Sequence, residues 1–247
     1  NALRNIALEA CTTELVLLSD VDCIPTSFLL DDLIGTTEKR SALLTHCWDN
    51  YSAVVIPSFE ILGSVDSGAD NEFGLEYSFS GVQLFQELLS EGSNIQVFMG
   101  DRFSRAHRAT DYAHLSQVWK DRLSIIKETT TLRTSHPVHL FPPCYYPIKY
   151  EEGFEPYVII ARHYAPKYDP VFSGYGRNKS LHLYHLHRLG FKFVVFADAG
   201  LLHLPHAPTT DRIRLLGHSS SRRLNSHQKG RIKEHEVDEK CTRLGKE

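Results

Sequence analysis

Two carboxylates that follow a short apolar run are the residues best suited to chemistry in this sequence. Asp20 and Asp22 come directly after Leu15–Leu18, a run that is typical of a fully buried strand in a mostly parallel sheet. Side chains alternate along an extended chain, so we expect the two carboxylates on the same side of it. Ligands of open α/β sheets gather at the carboxyl ends of strands. The pair therefore predicts a site for a divalent cation, which in turn binds a diphosphate, whereas the alternative interpretation is a simple turn.

The composition is that of an ordinary globular protein and argues against several classes of function. The 247 residues, 42% of them hydrophobic, suffice for one large α/β domain or at most two small ones. A net charge of −3 provides no basic field for nucleic acid. The five cysteines lack the CxxC spacing of zinc ribbons and redox motifs. No run of 18 apolar residues is present, so no membrane segment is predicted within the sequence.

The hydrophobic periodicity predicts alternating helices and strands around the two carboxylates. Helices are predicted at 2–10, 27–34, 81–91, 110–120 (capped by Thr110) and 181–189 (ended by Gly190), and strands at 53–62, 154–160, 191–196 and 201–206. Pro57 should place the end of its strand near a sheet edge or a bulge. Because the chain opens with one helix before its central strand, we expect a fragment whose sheet is incomplete at the N-terminal side.

Four basic residues between 102 and 108 form the densest cationic patch of the sequence. Arg102, Arg105, His107 and Arg108 either belong to a solvated turn or contact an anionic donor or acceptor. The sequence leaves both interpretations open.

Several motifs in fixed order resemble one known family. The segment Leu3-Arg4-Asn5-Ile6-Ala7 before the aspartate pair is joined by four further matches, which are Val55 to Glu60, Phe154-Glu155-Pro156-Tyr157, the loop from Tyr168 to Lys179, and His203 to Pro208. Each match is weak alone, but together, from about residue 3 to residue 211, they resemble the LARGE-type glucuronyltransferases of glycosyltransferase family 49.

The resemblance implies a fold, a reaction and a cellular place. It implies a GT-A-type three-layer α/β sandwich with a mixed, mostly parallel sheet at 1–211, followed by a charged C-terminal extension at 212–247. It also implies inverting transfer of glucuronate from UDP-glucuronate to a glycan or glycoprotein acceptor. The cofactor would be Mn²⁺, with Mg²⁺ as a substitute. Known members are Golgi membrane enzymes that act on the lumenal side.

The resemblance also implies roles for individual residues. Asp22 and His203 are expected to bind the metal directly, with Asp20 contacting the ribose or a metal-bound water. Residues expected to bind donor or acceptor are Asp20, Tyr175, Gly176, Asn178, Lys179 and His206. Arg177 stands where the family usually has Trp, a departure that bears on sugar preference.

Inverting transfer needs a general base, and two carboxylates are candidates for that role. Glu155 is either the base or a carboxylate that satisfies backbone donors at the start of a strand. Asp169 is either the base or a turn residue before Pro170. Asn178 is unsuitable, because an amide is not a base at neutral pH.

Two other functions compete with glycosyl transfer. A metal-dependent hydrolase would use the same aspartates and histidines, but two close metals need four or more clustered ligands. A catalytically inactive sugar-binding remnant is the other alternative.

Overall fold

The fold is described from a computed structural model that covers residues 1–26, 37–62, 81–130, 141–171 and 177–204. The helix predicted at 27–34, the segment 63–80 and the charged extension at 212–247 lie outside these residues. The domain division at residue 211 therefore stays a prediction.

The described residues form five α-helices and nine strands. The helices are α1 Ala2–Ala10, α2 Thr37–Leu44, α3 Gly81–Leu88, α4 Tyr112–Thr130 and α5 Asn178–Arg188. The strands are β1 Leu15–Leu18, β2 Cys23–Pro25, β3 Ser52–Ile56, β4 Ser58–Ile61, β5 Ile95–Val97, β6 Tyr145–Ile148, β7 Tyr157–Ala161, β8 Lys192–Phe196 and β9 Leu201–His203.

The larger sheet is mixed, as predicted, but it is not mostly parallel among the described strands. Its order is β1-β7-β3-β8-β6. Only the β3–β8 pair within it is parallel, while β7 runs antiparallel to both of its neighbours and β6 runs antiparallel to β8. The prediction of a mostly parallel sheet was wrong here, because apolar runs reveal buried strands but not the direction of their partners.

The central strands of this sheet are buried on both faces, which gives the predicted layers. Val55 and Ile160 pack into a cluster with residues of α3, α4 and α5, whereas Val54 and Ile159 pack on the other face with Leu43 of α2. Successive side chains point to opposite faces of a sheet, so one strand serves both clusters. Helices on both faces make this a three-layer α/β fold.

The strand before the aspartates, β1, lies at the edge of the sheet rather than in its centre. Its one neighbour among the described residues is β7. Val16 is buried, but Leu17 is 36% exposed. The prediction of a fully buried strand was therefore wrong, because the apolar run does not show how many neighbours the strand has.

Pro57 divides one predicted strand into two strands of different sheets. The smaller sheet has the order β2-β9-β4-β5, in which β4 and β9 are parallel. Because proline has no N–H to donate, the ladder is interrupted at this position. Beyond it, β4 pairs with β9 and places Glu60 opposite His203.

Helix α4 begins two residues later than predicted and extends much further. Asp111, not Thr110, caps it: the Asp111 Oδ1 accepts the N–H of His114 at 3.1 Å, and Asp111 has a φ of 54°. The predicted end of α5 is confirmed, since Gly190 has a φ of 89°, which glycine adopts at little cost.

A buried ion pair ties α4 to the connection between β8 and β9. Arg122 pairs with Asp198, and the two side chains are only 12% and 6% exposed. The indole N–H of Trp119 donates to the Ala197 carbonyl at 2.7 Å, and Asp198 also accepts the N–H of Cys144 at 2.8 Å. These bonds fix the turn that leads into β9 and so to His203.

We expect Arg122→Met to lower the free energy of unfolding by about 3 kcal/mol, because it leaves Asp198 as a buried charge without its cation. Arg108→Met is the matched control. Its pair with Glu151 is 63% and 38% exposed, so the loss should stay below about 1 kcal/mol. Denaturant unfolding of both variants checks this. Equal losses would contradict the structural role of Arg122.

The second prediction concerns acid stability. Burial, the charge of His185 and that of Arg4 lower the pKa of His182 from 6.5 to about 3. Between these values the unfolded chain takes up a proton that the folded chain does not, so stability falls as the pH falls. The parent should lose about 2 kcal/mol of its free energy of unfolding between pH 7 and pH 5. His182→Phe keeps an aromatic ring against Tyr168 and should not show this loss.

The measurement is denaturant unfolding at pH 7 and pH 5. His187→Phe controls for the change of ring type, since His187 is an exposed histidine stacked on Tyr150. If His182→Phe loses as much stability between the two pH values as the parent does, the buried neutral histidine is not the cause.

Candidate active site

The two aspartates lie in a turn that connects the two sheets. The chain leaves β1 at Leu18 and enters β2 at Cys23, whose N–H donates to the Asp20 carbonyl at 3.3 Å. Because the chain turns here, the alternation of an extended strand does not extend to Asp20 and Asp22. Each carboxylate has a different set of partners.

Asp20 is held by three other elements of the fold. Its Oδ2 accepts hydrogen bonds from the Lys179 ammonium at 2.8 Å and from the Tyr157 hydroxyl at 3.0 Å, and its Oδ1 lies 3.5 Å from the Arg4 guanidinium. Burial alone would raise the pKa of Asp20. The charge of Lys179 and the hydrogen bonds from Lys179 and Tyr157 outweigh burial, so this pKa lies below its ordinary value.

Lys179 is enclosed between Asp20 and an aromatic ring. Its ammonium lies 4.1 Å from the ring centroid of Tyr157, within the range of a cation–π contact, and its side chain is 17% exposed. Burial and the charge of Asp20 raise the pKa of the Tyr157 hydroxyl, which therefore stays protonated and donates to Asp20. Sequence reasoning assigned Lys179 to substrate binding without foreseeing this partner.

Asp22 lies against His203. The Nε2 of His203 is 3.3 Å from the Oδ2 of Asp22, which meets the expectation that their tips lie within a few ångströms. The two side chains are 16% and 32% exposed, and the imidazole stacks on Phe98 with ring centroids 4.5 Å apart. Among the described residues, no third histidine, cysteine or carboxylate completes a group of three potential metal ligands.

The pairing of β2 with β9 brings Asp22 and His203 together. Cys23 is the register partner of His203, and the N–H of Leu204 donates to the Asp22 carbonyl at 3.0 Å. Backbone hydrogen bonds on both sides thus fix the separation of the two side chains. Burial is the main cause that raises the pKa of the neighbouring Cys23 thiol, to about 11, so Cys23 is a neutral thiol here.

His107 forms a buried, neutral part of the site rather than part of a cationic patch. It is 3% exposed, and its Nδ1 lies 3.3 Å from the Ser58 hydroxyl. Burial, with a further contribution from the charge of Lys179, lowers the pKa of His107 to about 3. Its ring contacts Phe98, the residue that stacks on His203.

The arginines near His107 separate in the fold. Arg102 pairs with the buried carboxylate of Glu60, and Arg108 pairs with Glu151 on the surface. Spacing in the sequence suggested one patch, but the chain between the two arginines forms short helical turns at 104–106 and 108–110, and each arginine pairs with a different carboxylate. Arg102 and Arg108 therefore do not form one patch, and contact of the basic residues with an anionic donor or acceptor stays a prediction.

The two candidate bases differ in the hydrogen bonds that they make. The Oδ1 of Asp169 accepts the N–H of Val171 at 2.9 Å, as a turn-forming aspartate does. Glu155 is partly exposed two residues before Tyr157, and its backbone N–H donates to the Ala106 carbonyl at 2.8 Å.

The remaining predicted site residues lie at the start of α5 or outside the described residues. Asn178 is the first residue of α5, preceded by Arg177 with a φ of 55°, a conformation that is uncommon for a residue with a Cβ atom. Tyr175, Gly176 and His206 lie outside the described residues, so their roles stay predictions.

Two residues of the site, Arg4 and Tyr157, were assigned no role from the sequence. His107 was named only as a member of the basic stretch at 102–108, and its buried position was not foreseen. Arg4 and Tyr157 belong to two of the motifs that carry the family resemblance, which was the available signal. His107 had no such signal, because its burial depends on contacts with distant residues.

No helix in the described part of the chain is long and apolar enough to cross a membrane.

Comparison with known proteins identifies the family. A family model described as "Glycosyl-transferase for dystroglycan" matches residues 1–233. The "Xylosyl- and glucuronyltransferase LARGE2" of Rattus norvegicus is 30% identical over 213 residues, which cover 85% of this chain and 25% of that protein. LARGE2 of Homo sapiens is 29% identical over 217 residues, covering 85% and 24%, and LARGE1 of Danio rerio is 28% identical over 211 residues, covering 85% and 22%.

The chain thus spans about a quarter of the length of these relatives. Since the family model matches nearly the whole chain, this protein belongs to the glycosyltransferase family described by that model.

Proposed function

We propose that this chain binds a nucleotide sugar through a divalent metal and transfers glucuronate from UDP-glucuronate, with inversion, to a glycan or glycoprotein acceptor. The observation that carries the proposal is the Asp22–His203 pair, with tips 3.3 Å apart, in the same turn region as the Asp20–Lys179 ion pair. The names of the relatives, which specify xylosyl and glucuronyl transfer, support the choice of donor.

The ligand atoms of Asp22 and His203 fit a metal ion of intermediate softness. One carboxylate oxygen and one imidazole nitrogen suit Mn²⁺, whereas Mg²⁺ would use the histidine less well. Two protein ligands leave coordination positions for a diphosphate and water. When bound, the metal supplies neutralisation of the leaving diphosphate.

Lys179 is one of two cations beside Asp20 that are proposed to bind anionic groups of the donor. A hydrogen bond to Asp20 and a cation–π contact with the Tyr157 ring hold its ammonium in one position, so little side-chain entropy remains to be lost when a donor binds. Asn178 at the start of α5 is proposed to bind sugar hydroxyls.

We propose Glu155 as the general base, with Asp169 second. Asp169 already holds the turn to Val171, a role that does not require catalysis. Glu155 lies just before the strand that begins with Tyr157, the residue that contacts Asp20. A base there would accept the proton of the acceptor hydroxyl as the bond to the anomeric carbon forms.

Glycosyl transfer is favoured over a hydrolase mechanism that uses two metal ions. Such a hydrolase needs four or more clustered ligands, and the described residues contain no group of even three. An inactive sugar-binding remnant would bind UDP and the metal but release no UDP from UDP-glucuronate. A Golgi lumenal location is part of the proposal, by family resemblance alone.

The metal assignment is tested by Mn²⁺ binding. His203→Ala should weaken Mn²⁺ binding about tenfold or more, because it removes one of the two proposed protein ligands. His206→Ala is the comparison and should retain most of the affinity. Titration followed by electron paramagnetic resonance of free Mn²⁺ measures both. Equal losses, or a loss only in His206→Ala, would refute the assignment.

The base assignment is tested by turnover. Glu155→Gln should lower the rate of UDP release with an acceptor by about 10²- to 10⁴-fold, with UDP–Mn²⁺ affinity unchanged. Asp169→Asn is the matched control, because asparagine preserves the turn to Val171. A large loss in Asp169→Asn with normal turnover in Glu155→Gln would reverse the two roles. Absence of UDP release by the parent would favour the inactive remnant.

A further inference from the structure

We propose that Arg4 recognises the carboxylate of a uronate donor sugar and thereby selects among UDP-sugars. This inference rests on the proposed function, because it names the substrate feature that the same site distinguishes. The structural observation behind it is that one carboxylate, Asp20, lies between two cations, Arg4 and Lys179.

The charges around Asp20 do not cancel. Lys179, at 2.8 Å, compensates the carboxylate, and the Tyr157 hydroxyl donates to the same oxygen. Arg4 approaches the other oxygen at 3.5 Å, which is longer than a normal hydrogen bond. The neighbouring carboxylate, Asp22, lies against His203. Arg4 therefore adds positive charge beyond what Asp20 neutralises.

Arg4 is the more accessible of the two cations. Its side chain is 41% exposed, against 17% for Lys179. The guanidinium lies 5.4 Å from the ring centroid of Tyr168, which supports it from one side. A planar guanidinium presents two parallel N–H donors that match a carboxylate, whereas an ammonium does not. The geometry thus suits recognition of a second carboxylate by Arg4.

Helix α1 holds Arg4 in place through directional bonds. Asn5 donates to the Tyr168 carbonyl at 2.8 Å and accepts the Tyr168 N–H at 2.7 Å, while Asn1 donates to the Asp169 carbonyl at 2.7 Å. No residue of α1 is fully buried, although Leu8 packs against the core, so these bonds contribute strongly to its position. A helix anchored in this way keeps Arg4 beside Asp20.

The position of Arg4 favours a sugar carboxylate over the diphosphate as its ligand. Arg4 contacts Asp20 and Tyr168, whereas the proposed metal pair of Asp22 and His203 packs against Phe98. A diphosphate bound through the proposed metal would lie at that pair, and we assign the anion at Arg4 to a different group of the donor. Glucuronate carries one such group and xylose carries none, and the relatives are named for both xylosyl and glucuronyl transfer.

The test compares three ligands in the presence of Mn²⁺: UDP, UDP-glucose and UDP-glucuronate. Calorimetry would measure their affinities for the parent, Arg4→Met, Arg4→Lys and Arg40→Met. Arg40 is the matched control, since it pairs with Glu14 at 2.8 Å, is 56% exposed and lies near the opposite end of β1. We expect Arg4→Met to weaken UDP-glucuronate binding about tenfold and to leave UDP and UDP-glucose unchanged. Arg4→Lys should retain part of the preference, and Arg40→Met all of it.

Three outcomes would overturn the inference while leaving the proposed metal site intact. These are unchanged UDP-glucuronate affinity in Arg4→Met, an equal loss for all three ligands, which would assign Arg4 to the diphosphate, and a parent that binds UDP-glucose as tightly as UDP-glucuronate. A parent that binds no UDP would overturn the proposed function together with this inference. Thermal unfolding of Arg4→Lys and Arg4→Met separates loss of recognition from loss of fold.

Discussion

The ion pair between Asp20 and Lys179 is the contact on which the candidate site depends. It joins the end of β1 to the first turn of α5, and the Tyr157 hydroxyl and Arg4 add β7 and α1 to the same carboxylate. Removing a carboxylate from water is costly unless a cation and hydrogen bonds replace the solvent. Here they do, since the pKa of Asp20 is lowered although burial acts to raise it. Four elements distant in sequence are thereby held around one point.

The position of His203 depends on a different set of constraints. Strand β9 has only three residues, too few to be stable alone, and it is held by β2 and β4 on its two sides. The segment that leads into β9 is fixed by Arg122 and Trp119 of α4, which bind Asp198 and Ala197. The interruption at Pro57 makes this possible, because it allows one continuous segment to pass from the larger sheet to the smaller one. His203, which is proposed to bind metal, is thus positioned by contacts that take no part in the proposed reaction.

Sequence reasoning succeeded where local pattern is sufficient. The apolar periodicity gave α1 and the strand at 192–196, Gly190 marked the end of α5, and the separation of Asp22 and His203 agrees with the expectation. It failed where the outcome depends on distant partners. The direction of β7, the edge position of β1 and the separation of Arg102 from Arg108 are set by contacts between residues far apart in the chain. Charge spacing in particular does not reveal which acidic residue each arginine will meet.

The different partners of the two aspartates explain how such a pair is tolerated before any ligand binds. Two carboxylates separated by one residue repel each other unless each has its own compensating group. The turn that begins at Asp20 directs one carboxylate to Lys179 and the other to His203. Lys179 places a permanent positive charge beside Asp20, whereas Asp22 faces the imidazole of His203. This difference is the reason why we propose Asp22 as the carboxylate that binds an added cation, with Asp20 organising the basic residues around it.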